Sequence, residues 1–161
     1  MHRPRTSFQR ACALVLAGLA CATAARADGG HGSTRLPLNA TYVQECGACH
    51  VAFPPGLLPA ASWQRVMSKL PRHYGTDASM DTAPAQALST WLTANAGSGK
   101  RAREEPPEDR ITRGAWFVRE HREVSAATWT RPAVKSAANC VACHGGADKG
   151  DFNEHDVRIP R

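Results

Sequence analysis

Apolar positions recur at helical spacing in two stretches of the first half of the chain. Trp63, Val66, Met67 and Leu70 fall at i, i+3, i+4 and i+7, the stripe of an amphipathic helix, and Ser62 stands where an N-cap would start it. Pro71 and Gly75 bound its end, with His73 in the turn that follows. A further helix is predicted from about Thr82 to Ala96, with Pro84 in its first turn, Leu88, Trp91 and Leu92 on its buried side and Gly97 as its stop. Upstream, a helix starting near Thr41 is expected to run through Cys46 to His50, and Pro54, Pro55 and Pro59 then impose an extended loop. Downstream, Thr112 can cap a helix carrying Trp116, Phe117, His121 and Val124, and a last helix is expected from about Val134 to Gly145-Gly146. No stretch alternates as a strand would, so the pattern predicts a mostly α protein.

Between these halves, residues 98–110 mix both charges with two prolines and lack apolar periodicity. They read as a linker, and their basic-then-acidic run is a weaker candidate for docking a partner. The expected organisation is a segment 1–27, a first module 28–97 that opens with a polar, glycine-rich lead-in, the linker 98–110 and a second module 111–161.

The first segment has the marks of a secretory signal. Arg3, Arg5 and Arg10 precede an apolar stretch from Ala11 to Ala24, and Ala25-Arg26-Ala27 supplies a small-residue cleavage site. The stretch falls short of the ~20 residues that a membrane span needs, and Gly18 stands where a lipoprotein site at Cys21 would want leucine. The mature protein is therefore expected to be soluble and, in a bacterium, periplasmic. Removal of residues 1–27 takes away Arg3, Arg5, Arg10 and Arg26 and no acid, lowering the formal charge from +6 to +2. The basic balance belongs mostly to the signal and argues for neither nucleic acid nor an anionic membrane surface.

Candidate chemistry is concentrated in two pentapeptides, Cys46-Gly47-Ala48-Cys49-His50 and Cys140-Val141-Ala142-Cys143-His144. Both are C-x-x-C-H, the attachment signature of c-type haem, and they hold every cysteine outside the signal. On a helical turn, residues i, i+3 and i+4 share a face. Two thiols can then bond the haem vinyl groups while the adjacent imidazole reaches the iron. Zinc frameworks also pair C-x-x-C units, but about 15–20 residues apart, far closer than Cys49 and Cys140. A disulfide pair gives no reason for a histidine after both second cysteines. Two covalent haems c are expected, held by Cys46, Cys49, Cys140 and Cys143, with His50 and His144 as proximal ligands. Haem would also supply core that short helices of few aromatic residues lack, so the apo chain should be poorly folded.

The sixth ligand decides between electron transfer and ligand chemistry. For the first haem the rivals are His73 and Met80, both in the loop between the second and third helices, and spacing does not choose between them. For the second, no methionine follows Met80, leaving His121, His155 or no protein ligand. His121 is the better placed, on a predicted helix beside Trp116 and Phe117, whereas His155 lies in a polar tail.

The segments Glu45 to His50, Pro55 to Ala60, Leu70-Pro71-Arg72-His73-Tyr74-Gly75, Arg119-Glu120-His121, Asn139 to His144 and Val157-Arg158-Ile159-Pro160 together resemble the dihaem cytochromes c found with the oxygen-binding sphaeroides haem protein in purple bacteria. The resemblance implies a class I cytochrome c-like N-terminal haem module and a smaller, less regular helical C-terminal one. It also implies bis-histidine ligation, His50 with His73 and His144 with His121, which makes Met80 a packing residue and leaves His31 and His155 on the surface. The implied function is single-electron transfer through two low-potential haems, between a membrane cytochrome b or quinol-linked donor and a small c-type haem protein acceptor. The rival functions, a haem peroxidase or reductase and a gas-binding module, each require one open iron.

Overall fold

The Asn39 side chain accepts a hydrogen bond from the Tyr42 backbone N–H at 3.1 Å and starts the first helix, α1 (Ala40–Cys46). The computed structural model describes residues 38–161; the signal segment and His31 lie outside them. Helix α1 ends at Cys46, and the rest of the first pentapeptide is a turn beginning at Gly47. The helix expected to run to His50 is therefore shorter, and Gly47 to His50 follow it as a turn and a bend.

Helix α2 (Ala60–Ser68) follows Pro59 directly. Ser62 is not its cap but a buried first-turn residue whose hydroxyl accepts from Arg65 Nη2 at 3.2 Å. Helix α3 (Thr82–Ala94) follows the expected range closely and packs against α2 and α1. Tyr42, Ala52, Leu58, Trp63, Leu88 and Leu92 form the buried cluster, with Met67 and Met80 packed at its margin. Both apolar stripes thus face one core, which is what their 3.6-residue period requires. The proline segment between α1 and α2 is buried and contains a 3₁₀ turn, Pro55–Leu57, and the Trp63 indole N–H donates to the Pro55 carbonyl at 2.7 Å.

The segment 98–110 folds back onto the first half. It forms a 3₁₀ turn at Lys100–Ala102 and a turn at Pro107–Asp109 in which Glu108 and Asp109 have positive φ, and Ala102 is buried. Arg65 on α2 holds Asp109 at 2.6 Å and Glu105 at 2.7 Å. Gly97 does not stop α3, which ends two residues earlier at its C-cap Asn95. Its N–H instead donates to the Leu58 carbonyl at 2.8 Å, and a side chain there would run into the Gly56 carbonyl and Ala102. A glycine is needed for close approach rather than for an unusual φ.

The second half is less regular. Helix α4 (Ala115–Glu120) starts at Gly114 rather than Thr112, and one turn, α5 (Ala126–Trp129), follows. The helix expected from Val134 does not form. The chain there runs through consecutive turns, Lys135 has a positive φ of 70°, and Cys140–Ala142 is a single 3₁₀ turn. All regular structure among the described residues is helical; pairing of β type is limited to two isolated bridges, His73 with Thr76 and His144 with Val157.

Candidate functional site

The two pentapeptides are each set opposite a second histidine. In the first half, Tyr42 on α1 donates its hydroxyl to the Phe53 carbonyl at 2.8 Å, tying the helix to the chain beyond His50. Phe53 stacks on the His50 ring at 4.8 Å and 23°, and His50 Nδ1 lies 2.7 Å from the Val51 carbonyl. With the proton on Nδ1 to make that bond, Nε2 is the free lone pair.

His73 stands opposite, presented by a turn in which Tyr74 and Gly75 both have positive φ, 53° and 99°, and the Thr76 N–H closes onto the His73 carbonyl at 3.0 Å. Such a turn suits glycine and strains other residues. Tyr74 is held in it from outside. Its hydroxyl lies 3.1 and 3.0 Å from the Glu108 and Asp109 carbonyls, and the Arg110 guanidinium covers its ring at 4.2 Å. The His50 and His73 ring centres are 6.1 Å apart with planes 19° from parallel.

In the second half, His121 is the C-cap of α4. Its Nδ1 lies 2.9 Å from the Phe117 carbonyl and its ring stacks on Phe117 at 4.0 Å and 20°, with Trp129 at 5.8 Å. His144 is fixed by the backbone: its N–H donates to the Cys140 carbonyl at 2.8 Å, and it bridges to Val157 while the Arg158 N–H donates to the Cys143 carbonyl at 2.9 Å. Arg131 in turn donates to the Pro160 carbonyl at 2.6 Å. The tail thus closes over the second pentapeptide. The His121 and His144 ring centres are also 6.1 Å apart, with planes at 73°.

These separations can be compared with a ligand geometry. A metal–imidazole nitrogen bond is about 2 Å, and a ring nitrogen lies roughly 1.1 Å from its ring centre, so two imidazoles on opposite sides of one metal have centres about 6.2 Å apart. Both pairs match. Burial, and then the neighbouring histidine, pushes the His73 and His144 pKa values below the usual imidazole range, which favours the neutral ring that ligates metals. His144 Nδ1 is buried and has no hydrogen-bond partner. The cysteines fit thioether bonds in a similar way. Burial pushes the Cys46 and Cys140 thiols up to about 11, a setting that suits the neutral sulfur of a thioether.

Met80 and Met67 pack against the first core cluster. His155 is exposed in a 3₁₀ turn capped by the Asn153 side chain. Sequence patterns did not single out Phe53 or Phe152, which flank the His50 and His144 rings at 4.8 and 5.5 Å, nor the Tyr74 and Arg110 contact behind His73.

Among solved structures, the chain is similar to a dihaem cytochrome c from Shewanella baltica, at 36% identity and a TM-score of 0.68, covering 78% of this chain and 95% of that one. It is also similar to a diheme cytochrome c from Rhodobacter sphaeroides, at 39% identity and a TM-score of 0.65, covering 73% and 98%. No curated protein sequence matches. Residues 42–152, which contain both pentapeptides and both opposing histidines, match the family model for dihaem cytochrome c. The chain therefore belongs to the dihaem cytochrome c family, and its cofactors are two covalently bound c-type haems.

Proposed function

We propose that the protein is a periplasmic electron carrier whose two irons are each closed by two histidines, His50 with His73 and His144 with His121, in a class I-like first module and a smaller second one. The observation that carries this reading is the pair of 6.1 Å imidazole separations, each beside its own C-x-x-C-H. The haems supply the one-electron redox chemistry. The protein side chains orient and bury: Phe117 and Phe53 hold imidazole planes, the Val51 and Phe117 carbonyls fix tautomers, and Tyr74 braces the loop of His73. Paired imidazoles favour low potentials over the higher ones that a thioether ligand gives. The donor is a membrane cytochrome b or quinol-linked protein and the acceptor a small c-type haem protein, after cleavage of residues 1–27.

Carbon monoxide binding to the reduced protein tests the closed irons. The untouched protein is expected to bind little, His73→Ala and His121→Ala each to open one iron, and Met80→Leu and His155→Ala to open none. Near-stoichiometric binding by the untouched protein would overturn the reading and favour an enzyme or gas-binding module.

A further inference from the structure

A cavity of about 480 Å³ opens between the turn at residues 100–106 and α4, and none of the four cysteines or four paired histidines lines it. Its wall is strongly cationic. Lys100, Arg101, Arg103 and Arg119 face it with Glu104 as the sole acid, and Trp116 contributes an aromatic surface. Buried Ala102 anchors the turn and leaves its neighbours Lys100 and Arg103 on either side in solvent. Arg101 is held over the Trp116 ring at 5.2 Å. Arg119 pairs with Glu120 at 2.9 Å, but Lys100, Arg101 and Arg103 make no ion pair among the described residues. Three cations without an ion pair, against the single acid Glu104, give this concave patch a local field that the whole-chain charge does not provide, since cleavage of the signal leaves +2 and four haem propionates offset that.

The patch is also connected to one of the histidine pairs. Trp116 meets Phe117 edge-on at 6.4 Å, and Phe117 stacks on His121 at 4.0 Å. Two aromatic rings therefore separate the cationic surface from the distal imidazole of the second pair.

We propose that the patch formed by Lys100, Arg101, Arg103 and Trp116 is the docking surface for an acidic face of a redox partner protein, and that electrons enter or leave through the His121 side. In the outward step one electron leaves the reduced dihaem protein and reduces the docked partner, with no bond made or broken. The inference rests on the electron-carrier reading above. Carboxylates on the partner would meet the three cations, and the focused field would raise the association rate more than the affinity.

The test uses the full dihaem protein with two probes of the patch, poly-L-glutamate for binding and ferricyanide for electron exchange, and the cationic oxidant tris(phenanthroline)cobalt(III) for contrast. Wild type should bind poly-L-glutamate in a salt-sensitive manner, and the polymer should slow oxidation by ferricyanide. Lys100→Glu/Arg101→Glu/Arg103→Glu should lower polymer affinity and the ferricyanide rate by about tenfold or more, and raise the rate with the cobalt complex. The double variant Lys100→Glu/Arg103→Glu leaves the Arg101 contact with Trp116 in place and should show the same opposed changes in smaller measure. Unchanged polymer binding, or rates that fall equally for both oxidants, would overturn the proposal. So would a shift in either midpoint potential, which would assign these cations to a haem propionate. Carbon monoxide binding by the wild-type protein would instead remove the electron-carrier reading while leaving the charge asymmetry intact.

Discussion

The two histidine pairs have the same separation but different ring orientations, near-parallel at 19° for His50 and His73 and near-perpendicular at 73° for His121 and His144. Each orientation has a local cause. His50 lies flat on Phe53, and His121 is fixed by its Phe117 stack and by the Phe117 carbonyl. With these imidazoles as the iron ligands, as proposed, their planes would set how a low-spin ferric iron splits its lower d orbitals, so the oxidised protein should give two distinct electron paramagnetic resonance signals, a rhombic one and a large-g one. Phe117→Leu should alter only the large-g signal, and one signal shared by both irons would contradict the ring geometry. The pentapeptides were legible in the sequence because their chemistry is local, five consecutive residues doing one task. For the second pair, elimination left His121 and His155, and only the predicted helix beside Trp116 and Phe117 favoured His121. Phe53, Phe152 and Tyr74 were not legible, because each meets its ring through a turn whose direction no apolar period encodes.

At the scale of elements, α2 and α3 were readable because each buries one continuous stripe, while the chain from Val134 to Gly145 was not. Val134 is fully buried there but Val141 is exposed, so no stripe exists to sustain a helix, and hydrogen bonds such as Asn139 Nδ2 to the Val134 carbonyl at 2.9 Å hold turns instead. The segment 98–110 shows the opposite failure, since it lacks apolar periodicity yet is fastened by polar contacts, above all Arg65 to Asp109. That ion pair holds the Asp109 carboxyl below the usual carboxylate range, chiefly through the Arg65 hydrogen bond. A folded-state pKa below the unfolded value contributes stability that is present above the unfolded pKa, about 3.9, and is lost as pH falls through the folded one. Asp109→Asn isolates the charge, since asparagine tolerates the positive φ of 56° at this position. The variant should melt a few degrees below wild type at pH 7, and the difference should close as the pH is lowered towards about 2. A gap independent of pH would mean that packing, rather than the ion pair, fastens this segment.

Over the whole molecule the burial is unequal. The contiguous apolar cluster of Tyr42, Ala52, Leu58, Trp63, Leu88 and Leu92 lies entirely in the first half. Beyond residue 111 the buried hydrophobic residues are Phe117, Val134 and Ala147, and the elements that carry them are one or two turns long. Helices of that length do not hold without tertiary contacts, so the second half depends on its haem for a core while the first half has one of its own. Loss of attachment should therefore act asymmetrically. Cys140→Ala/Cys143→Ala should leave residues 40–97 folded and expose the chain after residue 111 to limited proteolysis, with cuts located by mass spectrometry. Cys46→Ala/Cys49→Ala should weaken the first half but leave its α2 and α3 core more resistant to the protease than the second half is in the converse variant. Equal protection of both halves without their haems would show that side-chain packing alone suffices, against the small apolar area buried beyond residue 111.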